Sequence, residues 1–433
     1  MSISTSMYIG ASGLDAQGEG INVVGDNIAN ASTFGYKSAR ADFDEVIAGT
    51  APNGQGLGDG VRFGGPQTNF TQGAVQATGQ NLDLAVTGEG FFDVKGSYNG
   101  INTDYYTRDG RFHIDNTGTV VNNDGLHLQG YMINSQGQQA VTPSDLSFPP
   151  TSPPLQSANV AMSVNLDAGS SVPPAFVPGN AVATSNYETS TTVYDSLGAA
   201  HNVQVYFHNG GGGTWDWHAL VDGADVGGVK GTPTSIGTGS LTFDGAGALV
   251  TMSGSITASF TNANPGQTIA MNFGDPTGAG GTGLAGTTQF SAPNNVKSLD
   301  TDGYAAGSLA SLSMNVAGDG TINATYSNGQ TRPVGRVALA MFASEAGLQN
   351  VGSQLFSATF HDAAGKSSSG QALLDAAATG GRGSIAGGSL ETSNVDLGTE
   401  LVTLIAYQRA FSADSRTINT ADQMLAQVSQ LGQ

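Results

Sequence analysis

Residues 393–427 read SNVDLGTELVTLIAYQRAFSADSRTINTADQMLAQ and form the most regular segment of the chain. An apolar side chain recurs at every seventh position of this segment: Leu397, Leu404, Phe411, Ile418 and Leu425, flanked by Leu401, Ala421 and Val428. Seven-residue spacing places these side chains along one stripe of a helix, as in the seam of a coiled coil. Asn394 is a candidate N-cap and no proline interrupts the segment, so the pattern predicts a long C-terminal helix.

The same period occurs at the other end of the chain, where the apolar residues are Met7, Leu14, Ile21 and Ile28. This segment also contains five glycines, each of which costs about 1 kcal/mol relative to alanine inside a helix. We therefore expect an N-terminal helix that forms only when it packs against another element. Its small residues would allow that element to come close to the helix backbone. The two terminal helices can pair with each other or with copies from other chains, or each can dock on its own domain.

Between the ends, the apolar pattern changes to a period of two from about residue 80. Short β-strands are predicted from segments such as FFDVK (91–95), YETSTTVY (187–194) and TWDWHALV (214–221), with a hairpin turn at 195–198. A proline-rich stretch at 142–154 separates the first strand series from the second, and a third series starts near residue 297.

The sequence thus predicts a mainly β, nested multidomain fold whose terminal helices pair as a coiled coil. The terminal helical domain comprises 1–30 and 393–433, and an extended connector comprises 31–80 and 361–392. The first β domain comprises 81–145 and 293–360, and a second β domain, 146–292, is inserted into it.

Composition excludes several classes of function. The net charge of −20 argues against binding to nucleic acid or to an anionic membrane surface. The absence of cysteine excludes disulfides and thiolate metal sites. The N-terminus lacks the basic and apolar regions of a classical signal peptide, and no apolar run reaches membrane-spanning length. If the protein leaves the cell, we expect a route without a cleaved signal.

Four features look like chemistry but have simpler interpretations. Residues 281–286 match the dinucleotide-binding fingerprint, but no helical pattern follows them, as that fingerprint requires. Residues 300–303 resemble the first residues of a calcium-binding loop, but the glutamate expected at position 311 is a serine. His201 and His208 are poorly placed for a zinc pair. Trp215 and Trp217 alternate along one predicted strand, so both point to the same face of the sheet. We expect them to pack in the core or against a partner rather than to form a carbohydrate-binding platform. We expect no enzyme activity, no cofactor and no metal.

Four segments in order resemble the bacterial flagellar rod and hook family. The first is NIANASTFGYK (27–37), in which the matching positions are Asn27, Ile28, Ala29, Asn30, Thr33, Gly35, Tyr36 and Lys37. The others are LDLAVTGEGFFDV (82–94), the stretch 106–131 and the C-terminal segment 393–427. The resemblance covers roughly 1–135 and 295–433, and the segments 191–207 and 294–342 are similar to the hook members in particular.

The resemblance implies a structural subunit of the hook, a curved helical tube that acts as a universal joint between motor and filament. It implies that the terminal stripes, Met7 to Ile28 and Leu397 to Leu425, are polymer interfaces forming the inner wall, with the β domains stacked outward. The implied partners are other copies, the rod, hook cap and hook–filament junction proteins and the flagellar export apparatus, at an extracellular location in the flagellum. Alternatives are a distal rod protein or a secreted β-rich adhesin-like module.

The motif at 27–37 is expected to join the inner helix to the outer body. Asn30 and Gly35 tolerate a left-handed backbone, which would end the helix and turn the chain. Thr33 and Lys37 are expected to hydrogen-bond backbone or a neighbouring subunit.

Overall fold

The computed structural model describes residues 3–50, 56–134, 137–314, 318–360 and 368–431. The chain forms two compact units: unit 1 comprises 1–149, 310–325 and 331–433, and unit 2 comprises 150–309 and 326–330. Unit 2 is therefore inserted into the sequence of unit 1. The segment 146–292, predicted as the inserted domain, falls within unit 2 except for its first four residues. Both units are mainly β, which confirms the predicted fold class.

Two long helices stand at the ends of the chain, α1 (Ile3–Ala29) and α2 (Leu397–Leu431). They lie antiparallel against each other, because Gly10 of α1 adjoins Ile418 of α2, whereas Gly20 adjoins Tyr407. The predicted pairing of the terminal helices is confirmed. Neither of these two described helices is long and apolar enough to cross a membrane.

The face of α1 that packs on α2 is lined by small residues. Gly10, Gly13, Ala16 and Gly20 are buried, together with Val24. A Cβ atom added at Gly10 would lie 2.8 Å from Ile418 Cγ1, and one added at Gly13 would lie 2.6 Å from Asp414 Oδ2. Three of the five glycines that weaken α1 as an isolated helix therefore let α2 approach it closely.

The N-terminal part of unit 1 continues with ten strands. They are β1 (Ala39–Thr50), β2 (Gly56–Thr68), β3 (Val75–Ala77), β4 (Leu84–Thr87), β5 (Phe91–Tyr98), β6 (Ile101–Thr107), β7 (His113–Ile114), β8 (Val120–Val121), β9 (His127–Met132) and β10 (Ser144–Asp145).

Strands β1 and β2 differ from the prediction, which assigned 31–80 to an extended connector. They form a long antiparallel hairpin in which Ala39 pairs with Thr68 and Phe43 with Phe63. The hairpin packs against the helices: the ring of Phe43 lies 6.0 Å from that of Tyr407 on α2. Contact with the helices stabilises a two-stranded ribbon that would be marginal alone.

Unit 2 contains β11 (Thr151–Ser152), β12 (Asn159–Asn165), β13 (Tyr187–Tyr194), β14 (Ala200–Gly211), β15 (Thr214–Asp222), β16 (Pro233–Phe243), β17 (Leu249–Met252), β18 (Ser255–Ala258), β19 (Gln267–Asn272) and β20 (Asn295–Thr301). Its main sheet has the order β13-β14-β15-β16-β18-β19-β12-β20, antiparallel except between β12 and β19. Trp215, Trp217, Phe207 and Phe273 are fully buried in its core.

The sequence pattern located β13 and the turn at Asp195–Gly198, where Gly198 has a φ of 83°. It did not locate β16, because a Gly- and Thr-rich segment shows no clean alternation. Gly239 of this strand lies too close to a neighbouring strand to carry a side chain, because a Cβ added there would lie 2.6 Å from Trp217 Nε1. Tertiary contact therefore overrides the weak local preference for a strand.

The chain completes the fold with β21 (Gly307–Met314), β22 (Thr321–Tyr326), β23 (Thr331–Met341), β24 (Gln349–Gly352), β25 (Leu355–Ser357), β26 (Leu373–Ala376), β27 (Ser384–Gly387) and β28 (Ser389–Glu391). In unit 1 the order β22-β23-β9-β5-β6-β25-β24 forms the main sheet. Phe91, Tyr106 and Phe356 pack in its core. The C-terminal part of the predicted connector is also partly β, since β28 pairs with β3 and β27 with β4; its residues 361–367 lie outside the described residues.

Candidate functional site

The motif at 27–37 lies where α1 ends and the chain enters β1. Asn27, on the last turn of α1, is 1% exposed and uses its whole amide group. Its Nδ2 donates to the Ala39 carbonyl oxygen at 2.7 Å and to Glu400 Oε1 on α2 at 3.1 Å. Its Oδ1 accepts from the Ala39 amide at 2.9 Å and from the Tyr36 hydroxyl at 3.2 Å. One buried side chain thus fixes the end of α1, the start of β1 and the first turn of α2.

Lys37 is buried beside Asn27's partners and forms an ion pair with a residue 354 positions later. Its Nζ lies 2.7 Å from Glu391 Oε1 and donates to the Thr71 carbonyl oxygen at 2.9 Å. The other carboxylate oxygen of Glu391 accepts from Arg108 Nη1 at 3.2 Å, and Oε1 also accepts from the Gly73 amide. All three charged side chains are at most 3% exposed. We call Asn27, Tyr36, Lys37, Arg108 and Glu391 the joint.

Electrostatics at the joint follow from burial. Burial lowers the pKa of Lys37 below its ordinary value, although the adjacent Glu391 carboxylate opposes the shift. The pKa of Tyr36 is raised to about 12 by burial and, to a smaller extent, by the charges of Asp26 and Glu400. Tyr36 therefore stays protonated at physiological pH and keeps donating to Asn27.

Gly35 turns the chain within the motif, as the sequence predicted. Its φ is 68°, and a Cβ atom at this position would lie 2.5 Å from the Asp109 amide nitrogen. Its own amide donates to the Glu391 carbonyl oxygen at 2.8 Å. A side chain is thus excluded both by the left-handed backbone and by the close approach of another segment.

One detail of the motif differs from the prediction. Asn30 does not adopt a left-handed backbone; instead its Nδ2 donates to the Asp26 carbonyl oxygen at 3.0 Å and its Oδ1 accepts from Thr33 Oγ1. The Asp26 carbonyl oxygen also accepts from the backbone amide of Asn30, so the local hydrogen bonds of one asparagine hold the end of the helix without positive φ. Lys37 donates to the backbone carbonyl oxygen of Thr71, which is one of the two predicted alternatives.

The apolar stripes, which the resemblance implies to be polymer interfaces, are only partly covered within the described part of the chain. Met7, Leu14, Ile21 and Ile28 are half-buried, because the small-residue face of α1 meets α2 instead. On α2, Leu404 and Ile418 are half-buried, and Ala421 is buried. Side chains that remain exposed on α2 are Leu397, Leu401, Val402, Ile405, Phe411, Met424 and Leu425. The side chain of Val428 lies outside the described residues.

Asn394 does not cap α2. The capping oxygen belongs to Asp396, whose Oδ1 accepts from the amides of Gly398 and Thr399 at 2.8 and 3.1 Å. Asn394 instead accepts from the Ser38 amide at 2.7 Å and donates to the Asn69 and Thr71 carbonyl oxygens. It therefore ties the segment before α2 to the segments flanking the β1–β2 hairpin, on the same side as the joint.

Comparison with known proteins gives a consistent result over the whole chain. Family models match in four places: "Flagella basal body rod protein" at 7–37, "Flagellar hook protein FlgE/F/G D1 domain" at 85–166, "Flagellar basal body protein FlaE D2 domain" at 165–304 and "Flagellar basal body rod FlgEFG protein C-terminal" at 386–431. The flagellar hook protein FlgE of Escherichia coli is 35% identical, with 96% of each chain covered. The chain belongs to the flagellar hook protein family.

The hook protein FlgE of Treponema pallidum is 32% identical, with 97% of this chain and 98% of the relative covered. The crystal structure of the Helicobacter pylori flagellar hook protein FlgE2 matches with a TM-score of 0.45 at 15% identity, covering 66% of this chain and 94% of that one. The E. coli and T. pallidum matches run nearly end to end, so they include the middle region of the chain.

Two of the features that resembled chemistry have structural roles. Asp302 accepts hydrogen bonds from the amides of Ala158 and Asn159, so it ties two distant segments of unit 2 together. Trp215 and Trp217 are fully buried, so they offer no platform for a carbohydrate. Within the part of the chain that the structure describes, no group of three or more His, Cys, Asp or Glu side chains is arranged to hold a metal.

Sequence reasoning missed Arg108 and Glu391, the partners of Lys37. A local pattern does not reveal a pairing across 354 residues. The available signal was composition: only 11% of the residues are charged, so a lysine in an otherwise neutral motif indicates a buried partner of opposite charge.

Proposed function

We propose that the chain is the structural subunit of the bacterial flagellar hook, and that its copies polymerise into a curved helical tube outside the cell. The tube acts as a universal joint that passes torque from the motor to the filament. Its partners are other copies, the rod, hook cap and hook–filament junction proteins, and the export apparatus that delivers it. Membership of the hook protein family supports this proposal.

The observation that carries the proposal is the unused apolar surface of α2. Leu397, Leu401, Ile405 and Phe411 are each between 41 and 50% exposed, although Tyr407 and Ile418 of the same helix pack against α1. The described part of a single chain leaves this surface uncovered, and such surfaces mark contacts with other molecules. Copies that contact each other through different patches, with a rotation that does not close, build a helical tube.

Assembly is coupled to ordering of the helices in this proposal. The α1 face towards α2 is mostly glycine and alanine, so the helix pair buries little apolar side-chain area by itself. We expect the ends to be largely unfolded before incorporation and to order at the growing tip, which offsets part of the contact energy. The stripe Met7, Leu14, Ile21 and Ile28 then becomes buried against neighbouring copies.

The joint transmits force between the helices and the body of unit 1 in this proposal. Lys37 follows α1, Glu391 precedes α2 and Arg108 follows β6, so the buried charges connect both helix ends to the main sheet. Any displacement of one segment would leave a buried charge without its partner, which is costly.

Two exposed residues of α2 provide the test. Leu401→Ser with Phe411→Ser, in the full chain, should leave a folded monomer that no longer polymerises, as followed by sedimentation and electron microscopy. Ile101→Ser with Val141→Ser is the matched control, since these residues are 63 and 93% exposed outside the helices. In a strain that lacks the gene, the control should restore hooks and the α2 variant should leave rods without hooks. Normal hooks from the α2 variant would refute the proposed interface, and intact hooks in the deletion strain would refute the function.

A further inference from the structure

A segment of unit 2 at 168–186, here called the strap, crosses the face of β14 and β15 that is opposite the main core, and it contains no charged residue. Both of its ends are held by hydrogen bonds to β14. Asn209 Nδ2 donates to the Ser170 carbonyl oxygen at 2.8 Å, and His208 Nδ1 donates to the Thr184 carbonyl oxygen at 3.0 Å. The ends of the strap are thus fixed to one strand through the backbone.

Between these ends, two side chains of the strap pack on the sheet. The ring of Phe176 stacks on the imidazole of His218 in β15, with centroids 3.8 Å apart and planes 2° from parallel. Ala181 is buried against Tyr206 and Leu220, in a cluster separate from the main core. The closed strap therefore covers a titratable imidazole and a small apolar cluster, and both would meet water if the strap lifted.

The surroundings of His218 disfavour its charged form while the strap is closed. Burial lowers the pKa of His218 below its ordinary value of 6.5; Asp216 on the same strand opposes this shift, and His208 on β14 adds to it. The residues that pair with His218 in the neighbouring strands are Thr238 of β16 and Tyr206 of β14. Burial raises the pKa of Tyr206, so that phenol stays neutral. Asp216 is therefore the group that favours a proton on His218.

A difference in proton affinity between the closed and the open strap couples its position to pH. Lifting the strap returns His218 to water, where the imidazole regains its ordinary affinity for a proton. Well above pH 6.5 neither form binds this proton, so the closed strap is undisturbed. As pH falls through 6.5 the open form is protonated first, and acid therefore favours opening. The effect levels off once the pH is also below the lowered pKa of the closed form.

We propose that the strap is an acid-sensitive lid, which lifts from β15 when His218 is protonated and exposes Tyr206 and Leu220 while the rest of unit 2 stays folded. The main core lies on the other face of the sheet, so opening does not require it to rearrange. Three prolines stiffen the strap: Pro173, Pro174 and Pro178. The surface so exposed is apolar with one polar tip, and unit 2 presents it only in mildly acidic solution.

The chain contains no cysteine, so a single introduced thiol reports on one position. Ala181→Cys places a thiol beneath the closed strap, and Val229→Cys places one at a residue of unit 2 that is 73% exposed and off the strap. Both full-length variants are treated, before polymerisation, with dithiodipyridine, which reacts with thiols in acid as well as at neutral pH. The ratio of the two rates then follows opening of the strap, because the exposed thiol corrects for the effect of pH on the reagent.

The rate ratio should rise several-fold between about pH 7.5 and about pH 5, where histidine titrates. Adding His218→Phe keeps an aromatic ring for Phe176 but removes the titrating group, so the ratio should no longer depend on pH. His218→Gln, which is also uncharged, should give the same result. The matched control is His208→Asn, which removes the other histidine beneath the strap, retains a donor for the Thr184 carbonyl oxygen and should keep the rise.

Three results would overturn the lid. The first is a rate ratio that does not change with pH, and the second is a rise that persists in both His218 variants or disappears in His208→Asn alone. The third is a change of tryptophan fluorescence over the same pH range: Trp215 and Trp217 lie in the main core, so such a change would mean that unit 2 unfolds as a whole. These measurements use the unpolymerised chain, so their outcome does not depend on the proposed function.

Discussion

Replacing Glu391 by glutamine should be among the most damaging conservative changes in unit 1. The carboxylate is fully buried and faces two cations, Lys37 and Arg108, so the variant retains two buried positive charges without their anion. Breaking a buried ion pair from one side typically costs about 3–5 kcal/mol. Lys37 keeps the Thr71 carbonyl oxygen and Arg108 keeps that of Gly88 at 2.9 Å. These remaining acceptors place the expected loss near the lower limit, about 3 kcal/mol of unfolding free energy.

Lys37→Met should cost less, about 1–2 kcal/mol, because it removes the two hydrogen bonds of Nζ, to Glu391 and to the Thr71 carbonyl oxygen, but leaves Glu391 and Arg108 as a balanced pair. Asp44→Asn is the exposed control: Asp44 and Arg62 are 47 and 73% exposed, so breaking their 2.8 Å pair should cost under about 1 kcal/mol. We therefore expect the loss of unfolding free energy to be largest for Glu391→Gln, smaller for Lys37→Met and smallest for Asp44→Asn.

The glutamine variant should also respond to pH. Burial already lowers the pKa of Lys37 below 10.5, and loss of the Glu391 charge lowers it further. A lysine whose folded pKa is depressed destabilises the fold while it is protonated. The loss of unfolding free energy in Glu391→Gln should therefore become smaller as pH rises from neutral towards 10.5, the ordinary pKa of lysine.

The assay uses the positions of the chromophores. Both tryptophans of the chain lie in unit 2, so tryptophan fluorescence follows unit 2, and circular dichroism of purified polymer, in which the helices are expected to be ordered, follows the helices of unit 1. Urea unfolding of Glu391→Gln should move the helical transition and leave the tryptophan transition in place. An equal cost for Glu391→Gln and Lys37→Met, or a cost below 1 kcal/mol for the former, would show that the joint does not depend on charge balance.

Three further changes test the packing of unit 1. Asp93 is buried and its Oδ1 has no hydrogen-bond partner among the described residues, and burial raises its pKa to about 7. The stability of the fold should therefore fall as pH rises from 3.8 to about 7. Thermal melts of Asp93→Asn should not show this dependence on pH. Gly35→Ala should destabilise more than Gly100→Ala in urea unfolding, because both glycines have positive φ but only Gly35 has backbone atoms within 3 Å of the new Cβ. Gly10→Ala should weaken the helix pair, because its Cβ would lie 2.8 Å from Ile418 Cγ1, whereas Gly18→Ala should stabilise α1 by about 1 kcal/mol, since nothing lies within 4 Å of Gly18; helical circular dichroism in polymer measures both effects.

Much of the architecture could be predicted because its signals are local. The helix α2 follows from the apolar period, although it starts three residues after the predicted cap Asn394, and β13 coincides with the alternating segment 187–194. The left-handed backbone at Gly35 follows from the residue type. Each of these depends on neighbours within a few positions, which a sequence displays directly.

The parts that could not be predicted depend on distant contacts. The hairpin of β1 and β2 contains Gly58, Gly60 and Gly64 and no clean alternation, and it is supported by the helices. The apolar period of α1 did not show which residues meet α2, because close packing selects the small residues and leaves the large apolar ones partly exposed. The ion pair of the joint links residues 354 positions apart, so Asn27, Tyr36 and Lys37 could be singled out from the motif but Arg108 and Glu391 could not.

The joint allows little displacement between the helix ends and the main sheet of unit 1. A shift of Lys37 or Arg108 away from Glu391 leaves buried charge unpaired, at about 3 kcal/mol or more. Breaking an exposed polar contact costs under about 1 kcal/mol. We therefore expect bending of the proposed tube to displace exposed contacts between copies and to leave the arrangement at the helix ends intact.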